Sequence, residues 1–183
     1  LLSITQDNKE KKVLVKPSDL KINAVSEDNK VGVFAIEPLP TGFGQTIAHS
    51  LRRVLLTSLK GAAITQVKLN GAAHQFTTVE GVKEDVVDIS LTLKKVRVKM
   101  HTENPVVGTI EKTGPGKVTA GDIQVSSEVE ILNKDLEIAT LANNKTTFKA
   151  EVVFETGTGY SPMEERQSNK VGVIVLDALY SPV

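Results

Sequence analysis

The side chains that most often carry out catalysis or bind metals are few in this sequence, and their spacing matches no familiar site. Its three histidines, His49, His74 and His101, lack the short spacing at which a helix or turn brings two metal ligands together. Asp85 and Asp88 are three positions apart and would share one face of a helix. A carboxylate pair at that spacing is more typical of a solvated surface than of an acid–base dyad. We therefore expect neither catalysis nor a metal site from these residues.

Gly116-Lys117 is the one pair that resembles the end of a phosphate-binding P-loop. That motif needs a glycine five positions earlier and a Ser or Thr after the lysine, where this chain has Glu111 and Val118. No serine stands in a Gly-x-Ser-x-Gly context, and the chain has no cysteine to act as a nucleophile or thiolate ligand. The sequence thus predicts no cofactor and no catalytic residue, which favours a binding or assembly protein over an independent enzyme.

Charge and composition limit the remaining classes of protein. The 183 residues include 22 Lys and Arg against 22 Asp and Glu, and aromatic residues make up only 4%. A protein that binds DNA or RNA by itself usually has a basic excess, and RNA-binding sheets usually carry stacked aromatic side chains. An autonomous nucleic-acid-binding module is therefore the weaker alternative to another kind of assembly module. The absence of a membrane-length apolar run and of a signal peptide predicts a cytoplasmic protein without a membrane partner.

A helix predicted over residues 41–61 is the element best suited to position a binding surface. Thr41 is the expected N-cap, Lys60 would lie in the last turn, and Gly61 would supply the left-handed residue that often ends a helix. At about 100° per residue, this helix has a broad apolar side. That side contains Phe43, Ile47, Leu51, Val54 and Leu55.

The opposite side of the same helix is not simply polar. Leu56 lies there, flanked by His49, Arg52 and Arg53. One interpretation is an ordinary core helix with a stray leucine. The other is a helix with one face on the chain's own sheet and the other on a partner, because arginines beside an apolar side chain make good interface anchors.

The elements around the helix are mostly predicted strands. Short runs at residues 11–15 and 21–25 are weak candidates, and the runs at 31–36 and 171–176 are apolar on both faces, which predicts central, buried strands of one layer. Residues 82–93 fit strand alternation and helical spacing equally well, and spacing does not decide between them.

A block of alternating runs lies between the two doubly apolar strands. Phe148, Ala150, Val152 and Phe154 would share one face of the last of these runs, and residues 157–166 are predicted to form a loop. An α+β fold with a mainly β insert fits this order better than a single sheet. The predicted runs are residues 62–70, 95–100, 106–112, 117–125, 128–132, 136–141 and 145–155.

An ordered series of motifs over residues 31–183 resembles the N-terminal domain of the α subunit of bacterial-type DNA-directed RNA polymerase. The single motifs are short, but their shared order is specific. They are Ile36-Glu37-Pro38-Leu39, Gly42-Phe43-Gly44-Gln45-Thr46, Leu51-Arg52-Arg53-Val54-Leu55-Leu56-Thr57-Ser58, Glu80-Gly81-Val82, Gly114-Pro115-Gly116, Gly157-Thr158-Gly159-Tyr160, Val175-Leu176-Asp177-Ala178 and Tyr180-Ser181-Pro182-Val183.

The resemblance implies a discontinuous α+β fold. An assembly and dimerisation module, a sheet plus a helix, would consist of residues 1–61 and 169–183, and a mixed, mainly β insert would span residues 62–168. It also implies that the segment in the 80s is a helix. The family continues beyond Ser-Pro-Val with elements that complete the dimer module, so we expect this chain to be a fragment whose module is incomplete at the C-terminal end.

The resemblance further implies a role without catalysis. Subunits of this family form homodimers on which the β and β′ subunits assemble. On that basis His49, Arg52, Arg53, Leu56 and His74 are expected to contact a large subunit. The expected dimer or core positions are Phe43, Ile47, Leu51, Val54 and Leu55.

Overall fold

The protein has an α+β fold, in which the described residues form two α-helices and a body rich in antiparallel strands. The computed structural model describes residues 19–28, 31–166 and 172–183. By its internal contacts the chain divides into one unit that ends at Arg52 and a second that begins at Arg53. The α+β class expected from the sequence is therefore confirmed. The division into residues 1–61 with 169–183 and residues 62–168 stays a prediction.

The first unit contains a hairpin and most of a helix. Strand β1 (Lys21–Glu27) pairs antiparallel with β2 (Gly32–Glu37), with Lys21 opposite Glu37. Helix α1 (Phe43–Thr57) follows Gly42, whose φ of 90° is a left-handed conformation that glycine adopts without strain. The last residues of α1 belong to the second unit.

The second unit is built on a five-stranded antiparallel sheet. Its strand order is β12-β3-β10-β5-β7, and the smaller pairs β4-β8, β6-β9 and β11-β13 complete it. The strands of this unit are β3 (Lys60–Leu69), β4 (Val98–Met100), β5 (Val106–Thr113), β6 (Gly116–Thr119), β7 (Ile123–Gln124), β8 (Val129–Ile131), β9 (Glu137–Leu141), β10 (Thr147–Thr158), β11 (Tyr160–Ser161), β12 (Val173–Val175) and β13 (Ala178–Leu179).

One face of β10 forms the centre of the core. Phe148, Ala150, Val152 and Phe154 alternate along the strand and share one face, as the sequence predicted, and all four are buried. They pack in one cluster with Ile64 from β3 and other apolar side chains of this unit. Burying a phenylalanine side chain of this kind stabilises the fold by about 1.5–3 kcal/mol, so this face is a major source of stability.

The segment in the 80s forms helix α2 (Val86–Leu93), as the family resemblance implied. Asp85 is its N-cap, and the carboxylate accepts a hydrogen bond of 2.7 Å from the backbone N–H of Asp88. Val86, Ile89 and Leu93 are buried in the same core, which gives the helix its apolar face. The cap and this burial together select helix over strand, a choice that local spacing left open.

Replacing Asp85 by Ala is expected to lower the free energy of unfolding by about 1 kcal/mol, because one N–H of the first helical turn loses its acceptor. Asp85 is exposed, so the substitution leaves no cavity. Urea denaturation measures the change. Asp85→Asn is the matched control, since its side-chain oxygen can still accept the bond, and equal losses for Ala and Asn would contradict the capping role.

Several predicted boundaries are wrong. Helix α1 ends at Thr57, and Lys60 and Gly61 begin strand β3 instead of closing the helix. Gly61 is required there by a close approach, because a Cβ at this position would lie 1.7 Å from the carbonyl oxygen of Tyr180. The run predicted over residues 117–125 is interrupted by a short 3-10 turn, and the predicted loop at 157–166 contains β11.

The strand predicted at residues 31–36 exists, but it is not buried. Among the described residues β2 pairs only with β1, none of its residues is buried, and Val33 and Phe34 are exposed. Its supposed companion, β12, pairs with β3 in the five-stranded sheet, so the two apolar strands do not share a layer. The candidate strand at residues 11–15 lies outside the described residues.

Candidate protein–protein interface

Helix α1 presents an apolar side that the described residues do not cover. We call Phe43, Ile47, Leu51, Val54 and Leu55 the apolar helix face. Ile47 is half-buried and the other four are exposed, with Phe43 at 54% and Leu51 at 43%. No residue of α1 is buried. The interpretation that this side packs on the chain's own sheet therefore finds no support within the part of the chain that the structure describes.

The hairpin before α1 adds more exposed apolar area. Ile22 and Val25 on β1, and Val33 and Phe34 on β2, are all exposed large hydrophobic side chains. Contiguous apolar area on a soluble domain commonly marks a surface that another chain covers. The hairpin and the apolar helix face therefore qualify separately as candidate interface surfaces.

The opposite side of α1 carries the second candidate surface. We call His49, Arg52, Arg53 and Leu56 the docking face. The two arginines and the histidine are exposed, whereas Leu56 is half-buried. Arg53 accepts a hydrogen bond of 2.7 Å at its backbone oxygen from Thr57, but its guanidinium makes no ion pair with any described residue. Exposed guanidinium groups of this kind can form forked hydrogen bonds with a partner or stack on it.

The end of α1 rests on the C-terminal segment of the chain. The Ser181 hydroxyl lies 3.4 Å from the backbone oxygen of Leu55, within donating distance. Gly159 adopts a left-handed φ of 64°, and a Cβ there would lie 3.5 Å from the backbone oxygen of Thr57. Within the second unit, these contacts therefore join the last turn of α1, which carries Leu56, to the segments around Gly159 and Ser181.

His74 lies in the loop after β3, where it organises the backbone. Its Nδ1 accepts a hydrogen bond of 3.2 Å from Phe76 N–H, and its carbonyl oxygen accepts one of 2.8 Å from the Thr77 hydroxyl. Phe76 is 77% exposed next to it. Among the described residues no hydrogen bond or ion pair joins His74 to Arg53 or Leu56.

Asp177 ties the C-terminal segment to α2. Its carboxylate accepts a hydrogen bond of 2.7 Å from the Lys94 ammonium and one of 3.0 Å from the backbone N–H of Met163. The Lys94 bond, followed by the Met163 bond, holds the pKa of Asp177 below its ordinary value. Because the folded pKa lies below the unfolded one, this contribution to stability is present above the unfolded pKa and is lost as the pH falls.

The difference in unfolding free energy between the unaltered chain and Asp177→Asn is therefore expected to shrink as the pH falls from about 6 to about 3. At neutral pH the variant lacks the Lys94 ion pair, and in acid the protonated carboxyl resembles the amide. Chemical denaturation at a series of pH values measures both chains. A difference that stays constant over this range would show that the Asp177 charge does not stabilise the fold.

Lys117 and Asp85, from the weak motifs noted in the sequence, each have a local structural partner. Gly116 and Lys117 belong to strand β6, not to a loop that enters a helix, and Lys117 pairs with Glu137. Asp85 caps α2. Over the described ranges no three His, Asp or Glu side chains are grouped so that they could hold a metal ion. In the part of the chain that the structure describes, neither α1 nor α2 is long and apolar enough to cross a membrane.

Sequence reasoning missed one group of residues beneath the end of α1. Arg166, Tyr180, Glu155 and Ser161 are joined there by hydrogen bonds and an ion pair. Ser161 and Arg166 are five positions apart in the sequence, and every other pair of these residues is farther apart. Hydrophobic periodicity within one helix or strand therefore could not connect them. The close approaches of Tyr180 to Gly61 and Gly157 are equally long-range, and the glycines alone suggested only turns or a helix end.

The fold and its exposed surfaces define an α+β protein with uncovered apolar area, the class that associates with other chains. The chain belongs to the RNA polymerase Rpb3/RpoA insert domain family, whose model matches residues 67–181. The resemblance drawn from the ordered motifs is thereby confirmed.

Three curated relatives agree with this assignment, and all three are DNA-directed RNA polymerase subunit alpha. The proteins from Symbiobacterium thermophilum and Oceanobacillus iheyensis are each 46% identical over 161 residues, which is 87% of this chain and 51% of the relative. The protein from Rhodopirellula baltica is 45% identical over 169 residues, 91% of this chain and 51% of the relative. The chain therefore spans about half the length of the curated relatives it matches.

Proposed function

We propose that this chain is part of a non-catalytic scaffold subunit of DNA-directed RNA polymerase. In this proposal it forms a homodimer and nucleates assembly of the β and β′ subunits, which carry out RNA synthesis in the cytoplasm. Family membership and the names of the relatives support a place in the polymerase. The observation that carries the assembly role is the uncovered apolar surface of α1 and the hairpin.

The apolar helix face is the proposed dimer surface. Four of its five side chains are exposed in the single chain. Covering each of them would contribute on the order of 1 kcal/mol, and a symmetric contact would count every residue twice. A second copy of the chain is the partner that we propose for this surface, because in a two-fold dimer the same patch of both copies forms the contact.

The docking face is the proposed contact with the β subunit. Two adjacent exposed arginines and the half-buried Leu56 combine charge, planar hydrogen-bond donors and an apolar centre, which is the composition of many interface hot spots. His74 and the exposed Phe76 form a second proposed contact with a large subunit, on a loop whose shape is held by its own hydrogen bonds. We assign no nucleic-acid contact to either surface.

Co-purification of a tagged chain with the β subunit tests the proposal. Both proteins would be co-expressed, and the tagged chain would be recovered at about 0.15 M salt, where exposed long-range charge effects are screened. The proposal predicts that β is retained with the tagged chain. Recovery of the folded, tagged chain without any β would contradict the assembly role, and retention of bound nucleic acid instead would favour the alternative class.

A further inference from the structure

We propose that Arg166 is a positioning residue for the docking face. It holds Tyr180 in position, and through Tyr180 it holds Ser181 and Gly159, the residues that contact the last turn of α1. The orientation of Arg53 and Leu56 would then depend on a residue that touches neither of them. The consequence for partner binding rests on the proposed function, whereas the structural link to α1 does not.

The guanidinium of Arg166 joins three separate stretches of the chain. Its Nε donates a hydrogen bond of 3.0 Å to the Ser161 hydroxyl, its Nη2 donates to the Tyr180 hydroxyl, and its Nη1 lies 3.7 Å from the Glu155 carboxylate. The cation also lies 5.5 Å from the centre of the Tyr180 ring. The Arg166 side chain is only 19% exposed. The Nη2 hydrogen bond and the cation near the ring hold the tyrosine more firmly than ring packing alone, and the Ser161 bond and the Glu155 ion pair fix the position of the guanidinium.

Tyr180 transmits this constraint to the chain around it. A Cβ at Gly157 would lie 2.5 Å from the tyrosine ring, so β10 approaches the ring as closely as a glycine allows. The backbone N–H of Tyr180 donates a hydrogen bond of 2.9 Å to the oxygen of Gly159. The ring, the backbone and the hydroxyl of one residue are thus each held by a different part of the second unit.

The next contacts lead directly to α1. Ser181, adjacent to Tyr180, is the residue whose hydroxyl approaches the Leu55 oxygen, and Gly159 is the residue that packs beside Thr57. Both contacts meet the helix within the turn that carries Leu56. Loosening Tyr180 would therefore loosen the two supports of that turn at the same time.

Arginine is the residue type that this arrangement requires. Three nitrogen atoms of one planar group face three different partners, and the same group stacks near an aromatic ring. Lysine keeps the charge but offers a single nitrogen, so it can satisfy only part of this set. Methionine keeps much of the apolar stem and removes every directed contact.

Hydrogen exchange of the full chain, read out at single amides, tests the structural link. In Arg166→Met, the amides of Leu56, Thr57 and Ser58 are expected to exchange about tenfold faster, whereas the Val152 amide in the core strand β10 keeps its protection. Arg166→Lys is expected to restore only part of the difference. Asp177→Asn is the matched control, because it removes the ion pair with Lys94 at the end of α2, while the amide oxygen can still accept the hydrogen bond from the Met163 N–H.

Capture of the β subunit by the same variants tests the consequence. We expect Arg166→Met to weaken capture about fivefold and Asp177→Asn to leave it within about twofold, at comparable losses of melting temperature. Tyr180→Phe removes only the hydroxyl and should shift both readouts in the same direction, so the proposal stays testable if Arg166→Met does not fold.

Two results would overturn the positioning role. One is unchanged exchange at the end of α1 in folded Arg166→Met or Tyr180→Phe. The other is a loss of protection in Asp177→Asn that equals the loss in the Arg166 variant. If the unaltered chain captures no β subunit, the proposed function fails, and the exchange measurement still decides whether Arg166 positions α1.

Discussion

Leu51→Glu is expected to turn the proposed dimer into a monomer, with a rise of at least about 100-fold in the dimer dissociation constant. Leu51 lies in the middle of the apolar helix face and is exposed in the single chain, so a glutamate there is solvated in the monomer. In a dimer the same carboxylate would lose water against apolar side chains and meet its own symmetric copy. Light scattering across a range of protein concentrations measures the change.

Gln45→Glu is the matched control for this variant. It adds the same charge to the same helix, nearly opposite the apolar helix face at about 100° per residue, and it changes the size of the side chain very little. The control should keep the dissociation constant within about threefold of the unaltered chain. Equal dimerisation by Leu51→Glu and the unaltered chain would exclude the apolar helix face as the dimer surface.

Arg53→Ala is expected to weaken capture of the β subunit about 30-fold, while the free energy of unfolding changes by less than about 0.5 kcal/mol. The guanidinium has no ion pair in the described chain, so the folded subunit loses little when it is removed. In the complex, by contrast, the substitution removes the planar, forked hydrogen-bond donor that the β subunit would bind, so the affinity falls. Titration of immobilised β, together with urea denaturation, gives the two quantities.

Arg97→Ala controls for the loss of any exposed arginine, because Arg97 is also exposed and lies outside α1. It should leave capture nearly unchanged. Arg53→Lys should recover only part of the affinity if the forked geometry contributes and not the charge alone. A loss of stability in Arg53→Ala as large as the loss of binding would instead assign Arg53 a structural role.

Elements with a strong pattern of their own were predictable from the sequence. The alternation of Phe148, Ala150, Val152 and Phe154 identified the core strand, because burial on one face leaves a period of two in the residues themselves. Helix α2 was not decidable in this way. Its sequence fits both the period of a strand and the period of a helix. The Asp85 cap and the packing of Val86, Ile89 and Leu93 into the core favour the helix.

Long-range contacts explain the errors in the prediction. Gly61 has the composition of a helix end, but the strand needs a glycine there because the Tyr180 carbonyl is so close. The apolar pattern of residues 31–36 predicted a buried strand, but Val33 and Phe34 are exposed in the described chain. Hydrophobic periodicity indicates which face of an element favours burial, but it does not identify the element or chain that covers that face.

The candidate site was predictable only in part. Helical spacing placed Leu56 among His49, Arg52 and Arg53 opposite the apolar helix face, and the exposure of the two arginines agrees with that arrangement. The partners themselves came from the family resemblance, and the contacts stay predictions. Arg166 could not be found from the sequence, because its partners Ser161, Tyr180 and Glu155 converge through tertiary structure.

The mass of the chain in solution, alone and with the β subunit, tests the scaffold proposal most directly. Size-exclusion chromatography with light scattering would measure both samples under the same conditions. The proposal predicts twice the mass of one chain alone, and a complex of two chains with one β subunit after mixing. A monomer whose mass does not change in the presence of folded β would contradict it.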